Sequence, residues 1–260
     1  MVWFEKDKVK IHYSVSEIKG PYVTLINGYT RDSRDFKIFT KLLSKEGFTV
    51  VNIDQRGSGL SLSDKRFTLS NMAEDTIEIL KYLKIKKTHL IGLSMGGIIA
   101  QIIASADPSI INSLCIISSA TKYEDLKQRK TFKEADTGKI FQQLKPYFSE
   151  YFYYNNKLLI TAMSKQIAKN ISDENLEKKS ELQNFAIKSL ANNPINLNKV
   201  KAKTLIIHGT KDEIISEECA HKLHKKIKGS KLEIIDNCGH LLLAECPQKI
   251  YKTCIDFLKG

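Results

Sequence analysis

The sequence contains no apolar run near the roughly 20 residues a membrane-crossing helix needs. Its first residues, Met1-Val2-Trp3-Phe4-Glu5-Lys6-Asp7-Lys8, alternate apolar and charged side chains where a signal peptide would have an apolar core. A membrane span is therefore not expected, and the reading is of a cytoplasmic protein. Cysteine is sparse and odd in number: Cys115, Cys219, Cys238, Cys246 and Cys254, with no C-x-x-C pair. That pattern argues against a disulfide framework or a zinc site and suits a reducing compartment. Acidic residues are in deficit, 29 against 41 basic ones, which leaves a formal net charge of +12. Arginine is scarce, however, and its planar fork is what base and phosphate recognition usually recruits. A nucleic-acid partner is accordingly not expected. The lysines are scattered, and short groups such as Lys84-Ile85-Lys86-Lys87 are interrupted. They read as a solvated surface, with an acidic partner protein as the alternative. Internal repeats and low-complexity segments are also missing.

What is present is the composition of a globular chain: 260 residues, 42% hydrophobic and 27% charged. Short β-branched runs alternate with helical spacing, the rhythm of a βαβ sheet. Val9 to Val15, Tyr22 to Ile26, Phe48 to Ile53, Thr88 to Gly92 and Ser113 to Ile117 read as strands. Asp35 to Lys45 and Ile98 to Ser105 read as helices, and so does the stretch carrying Met72, Thr76, Ile79, Leu80 and Leu83. From Thr121 to Asn198 only helical patterns occur. The alternation then resumes with a strand at Thr204 to Ile207, a helix near Glu217 to Ile227, a strand at Lys231 to Ile235 and a helix from Gln248 to Leu258. The expected fold class is α/β, a mostly parallel central sheet flanked by helices. Residues 1–120 and 199–260 would form the core domain, and 121–198 a helical cap inserted into it.

Gly92-Leu93-Ser94-Met95-Gly96 fits G-x-S-x-G, between an apolar strand and an apolar helix. Such a turn lifts the serine hydroxyl above the sheet and sets it at a helix N-terminus, where free N–H groups favour negative charge. The plainer alternative is a glycine-rich turn with a capping serine. A serine needs a base to take its proton. Of six histidines, only His240, in Asn237-Cys238-Gly239-His240, falls in a loop after a late strand. The base needs a carboxylate to fix its tautomer. Asp212 leaves the strand at Thr204 to Ile207; its alternative role is to cap the following helix, and Glu124 and Asp125 are competing acids.

The order Ser94, Asp212, His240 makes the chain resemble, over nearly its whole length, the serine esterases and lipases of the α/β-hydrolase fold. Two loops add to the resemblance. Ile26-Asn27-Gly28-Tyr29 stands where that family has His-Gly-X, which implies that the backbone N–H groups of Tyr29 and Met95 form the oxyanion hole. Asn27 departs from the family's histidine. Asp54-Gln55-Arg56-Gly57-Ser58-Gly59-Leu60-Ser61 matches the family's D-x-R-G-x-G-x-S loop and reads as architectural, with internal Asp54 and Arg56 contacts. The expected activity is hydrolysis of a small or medium carboxylic ester through an acyl-enzyme, with no cofactor and no metal. Demethylation of an acyl-carrier-protein ester, enol-lactone hydrolysis and carbon–carbon bond hydrolysis use similar residues. A non-catalytic binding protein on the same fold is the alternative of another class. The aromatic run from Tyr147 to Tyr154 supplies pocket candidates in Tyr147, Phe148, Tyr151 and Phe152, with cap packing as their other role.

Overall fold

Strands buried on both faces need apolar side chains at successive positions, so parallel strands under two helical layers read as unbroken hydrophobic runs. The computed structural model bears this pattern out. It describes residues 2–6, 9–63, 65–126, 132, 134–171 and 176–260. Met1, Asp7 and Lys8 of the alternating N-terminus, and residues 127–131, 133 and 172–175 of the expected cap, lie outside the described residues. Eight strands form one sheet: β1 (Val2–Lys6), β2 (Val9–Val15), β3 (Tyr22–Ile26), β4 (Thr49–Ile53), β5 (Thr88–Leu93), β6 (Ile111–Ile117), β7 (Lys203–Gly209) and β8 (Lys231–Ile235). Their spatial order is β1-β2-β4-β3-β5-β6-β7-β8. β2 pairs antiparallel with β1 and with β4, and every later pairing is parallel.

Successive side chains of each central strand enter opposite layers. Leu90, Leu114, Ile116 and Ile206 join a core with α2 (Leu69–Tyr82) and α3 (Met95–Ala106). Ile91, Cys115, Ile117 and Ile207 join the other, with α1 (Lys37–Lys45) and α10 (Pro247–Lys259). Each such aliphatic side chain contributes about 1.5–3 kcal/mol by leaving water. The start of α2 follows from its sequence: the Thr68 hydroxyl accepts from Asn71 N (3.2 Å), and Asn71 Oδ1 accepts from Thr68 N (3.0 Å).

Between β6 and β7 the chain forms α4 (Thr137–Gln143), α5 (Glu150–Asn155), α6 (Lys157–Ile171) and α7 (Leu176–Lys188). After β7 come α8 (Glu217–Lys226), β8 and the single turn α9 (Leu242–Glu245), which leads into α10. Among the described residues no helix is long and apolar enough to cross a membrane.

One feature of the strand order places the site. The chain passes from β3 to β4 on one side, then crosses back to β5 on the other. Loops leaving the C-terminal ends of β3 and β5 therefore diverge and open a crevice at this reversal of winding, where open α/β sheets bind ligands.

Candidate active site

β5 ends at Leu93 and α3 begins at Met95, three residues earlier than the sequence pattern suggests. Gly96 and Gly97 do not delay the helix; they are what its first turn requires. A methyl group on Gly96 would lie 2.1 Å from Ile26 O, and one on Gly92 would lie 2.3 Å from Gly96 O. Only hydrogen fits where α3 crosses the ends of β3 and β5. Ser94 itself has φ 54° and ψ −117°, a conformation that costs a non-glycine residue about 1–3 kcal/mol and needs support from its surroundings. Ser94 N donates to Ile117 O (2.9 Å), and Ser119 Oγ donates to Ser94 O (2.8 Å). The Ser94 side chain makes no capping bond. Its Oγ lies 3.0 Å from His240 Nε2 instead.

His240 Nδ1 is 2.8 Å from Asp212 Oδ2, and both side chains are buried. An Nδ1–H donating to the carboxylate leaves the Nε2 lone pair to accept from the serine hydroxyl. The second Asp212 oxygen accepts from Ile214 N (2.9 Å) and Ile215 N (2.8 Å), so the aspartate shapes its own turn while holding the imidazole. Burial pushes the Asp212 carboxyl up, but the His240 charge and hydrogen bonds from His208 and His240 outweigh it and hold the group well below the usual carboxylate range. His208 is a partner the sequence reading passes over: it lies in β7, fully buried, with Nε2 3.3 Å from Asp212 Oδ2 and 2.9 Å from Ile215 O. Of the competing acids, Asp125 accepts from Lys222 Nζ at 3.3 Å instead.

The His240 loop is tied to the segment between β6 and β7. Glu245 Oε1 accepts from Gly239 N (2.7 Å) and Ser149 N (3.1 Å), while Oε2 accepts from Ser149 Oγ (2.7 Å). Leu241 N donates to Tyr147 O (3.1 Å). Burial outweighs the hydrogen bonds at Glu245 and pushes its carboxyl up. Cys238 and Cys246 are joined by a disulfide across this loop, contrary to the expectation of no pairing. Residue spacing does not reveal that α9 folds the chain back on itself and brings the two sulfurs together.

The loop after β3 lies against the serine. A side chain at Gly28 would meet both Ser94 Cβ (3.5 Å) and Arg31 Cγ (4.0 Å). Asn27, where the resembled family has histidine, is buried and organises this loop. Its Oδ1 accepts from Gly28 N (2.7 Å), and its Nδ2 donates to Asp32 O (2.5 Å) and Asp35 Oδ2 (3.2 Å). Gly28 and Tyr29 line a cavity with Ser94 and His240; Met95 N belongs to the first turn of α3. The 54–61 loop is architectural, yet its contacts are not all internal. Asp54 accepts from Leu60 N but also from Ser33 N, while Arg56 reaches Asp75 on α2.

The cavity wall is mostly apolar: Leu93, Phe132, Leu144, Tyr147, Met163, Ile167 and Leu241. Of the four aromatic candidates, Tyr147 lines it, with its ring edge-on to His240 (5.9 Å). Phe148 stacks on Phe152 within the cap core, and Tyr151 is 76% exposed. Helical geometry spreads an aromatic run around the axis, so its density does not say which member faces inward. Sequence reading also misses Leu144, Met163, Ile167 and Arg31, because facing the cavity depends on how the helices between β6 and β7 pack.

A family model described as serine aminopeptidase, S33, matches residues 19–247. Monoacylglycerol lipase ABHD6 of Homo sapiens is 26% identical over 256 residues, covering 92% of this chain and 75% of that protein. Serine hydrolase BPHL of Homo sapiens is 28% identical over 264 residues, 96% of this chain and 84% of that one. Among solved structures, MGS-M2, an α/β hydrolase enzyme from a deep-sea metagenome library, superposes with a TM-score of 0.84 at 18% identity, covering 100% of this chain and 98% of that one. The enol-lactonase from Burkholderia xenovorans superposes with 0.82 at 20% identity over the full length of both. At such identities these two structures speak for the fold.

Proposed function

Because the chain belongs to the S33 serine aminopeptidase family of α/β hydrolases, we propose that it is a serine hydrolase that cleaves a small or medium carboxylic ester through an acyl-enzyme on Ser94. The observation carrying this reading is the hydrogen-bonded chain Ser94 Oγ–His240 Nε2 (3.0 Å) and His240 Nδ1–Asp212 Oδ2 (2.8 Å), set at the wall of an apolar cavity. As Oγ attacks the carbonyl, His240 takes its proton, and the carboxylate of Asp212 stabilises the imidazolium. The N–H groups of Tyr29 and Met95 receive the oxyanion, each such donor being worth about 3 kcal/mol. His240 then protonates the leaving alcohol and draws a proton from the water that attacks the acyl-enzyme. Segment 121–198 acts as the cap that shapes the acyl pocket, with Tyr147, Leu144, Met163 and Ile167 as its contribution.

The relative named as a monoacylglycerol lipase favours an ester over a peptide. So does electrostatics: an aminopeptide brings a cationic amino terminus, and the cavity wall already carries the cation of Arg31. The test is turnover of p-nitrophenyl pentanoate by purified wild type and Ser94→Ala. Loss of at least a thousandfold in kcat is expected, with the thermal transition retained. Equal rates would refute the assignment.

A further inference from the structure

Arg31 lines the mostly apolar cavity that also holds the Ser94 hydroxyl, and its side chain is 38% exposed. Asp35 satisfies part of the guanidinium: Nε donates to Oδ2 (2.6 Å) and Nη2 to Oδ1 (2.5 Å). The two hydrogens on Nη1 have no acceptor among the described residues. The ion pair is held from behind, since Asp35 Oδ2 also accepts from Asn27 Nδ2 (3.2 Å), the residue that anchors the loop beside Ser94. Asn170 is a further polar side chain on this wall, with Thr30 and Ser180. Its Oδ1 accepts from Gln166 Nε2 (3.1 Å), which leaves its own amide hydrogens without a partner among the described residues. Thr30 and Asn170 also line a neighbouring cavity of mixed charge, with Arg34, Lys169 and Lys179 beside Asp32 and Asp54. Uncommitted donors thus belong to residues of the substrate cavity wall.

We infer that Arg31 is a specificity-determining residue that selects esters bearing a carboxylate, with the acyl or alcohol chain in the apolar part of the cavity and the anion on Arg31 Nη1. A guanidinium–carboxylate contact is charge-assisted and directional. Asp35 has two functions in this arrangement. It fixes the fork and tempers its charge, so that a substrate anion binds without being trapped. The inference rests on the ester-hydrolase reading above and narrows its substrate class.

The test compares kcat/KM for p-nitrophenyl hemiglutarate, 4-carboxyphenyl pentanoate and the neutral p-nitrophenyl pentanoate. The first two carry the anion on the acyl and alcohol sides respectively. For wild type, Arg31→Met, Arg31→Lys and Asp35→Asn, the readout is the ratio of each anionic ester to the neutral one. Arg31→Met is expected to lower at least one ratio tenfold or more, and Arg31→Lys to recover part of it. Asp35→Asn is expected to raise that same ratio, because it removes the internal counter-charge. A purely structural ion pair predicts that the two partners' removal moves the ratio in the same direction or not at all, and either outcome overturns the inference. If wild type turns over none of the three esters, or Ser94→Ala retains the wild-type activity, the ester-hydrolase reading falls and this one with it. If neutral turnover is Ser94-dependent but the ratios do not respond to Arg31, only the present inference falls.

Discussion

The proposed chemistry rests on Asp212 staying ionised while it holds an imidazole in a buried site. Its folded pKa lies below the ordinary carboxylate value, so the folded state binds fewer protons than the unfolded chain on the acid side. The stability this contributes is complete above about pH 4 and is lost as pH falls toward the folded value. Urea midpoints measured between pH 5 and pH 3 are expected to fall more steeply for wild type than for Asp212→Asn. The same substitution offers an amide in place of the carboxylate and disturbs the tautomer of His240. A loss of about 10⁴ in kcat is expected, by analogy with the aspartate of other serine triads. At Gly96 the constraint is steric: a methyl group would press on Ile26 O. Gly96→Ala should cost about 3 kcal/mol or more, seen in calorimetry as a Tm lower by about 6–12 °C.

Elements place these residues, and the join between α5, α9 and the His240 loop depends on Glu245. Alanine at this position leaves buried Gly239 and Ser149 N–H groups without acceptors, at about 1–3 kcal/mol each. Glutamine keeps an acceptor for both and a donor for the Ser149 hydroxyl. Glu245→Ala is therefore expected to lower kcat on p-nitrophenyl pentanoate by 10- to 100-fold and Glu245→Gln by only a few-fold; equal losses would show that the negative charge matters more than the hydrogen bonds. Elements are also where the legibility of the sequence is uneven. β2 and β3 were readable to the residue, because strict alternation in the one and two-sided burial in the other leave a direct trace in side-chain type. The start of α3 was not, since Gly96 signals a break locally and a close crossing only in three dimensions. Ser94 was legible from its turn, and Asp212 and His240 from their places after late strands. Arg31, His208 and Glu245 gave no signal: Arg31 and His208 pair with carboxylates only four residues on, but tertiary packing decides that they meet the cavity and the triad, as it decides that Glu245 meets Ser149.

For the whole molecule, a net charge of +12 sets a net positive field, and charges raise the encounter rate of opposite charges in a salt-dependent way. With p-nitrophenyl hemiglutarate, kcat/KM is expected to fall several-fold between about 20 mM and 500 mM salt, as the screening length shortens. The neutral pentanoate is expected to hold steady. Parallel salt curves for the two esters would assign the lysines to solvation alone. The reversal of winding between β3 and β5 was not readable from element order, because the order fixes alternation but not on which side each new strand is laid. That single topological choice sets Gly28 beside Ser94.

The hydroxyl of Ser94 is the centre of the proposed reaction, and an active-site label reads its reactivity without assuming a substrate. Wild type treated with a fluorophosphonate and analysed by peptide mass spectrometry is expected to carry one adduct, on Ser94, with labelling strongly slowed in His240→Ala. Labelling on another residue, or hydrolysis that continues in protein fully modified at Ser94, would contradict it.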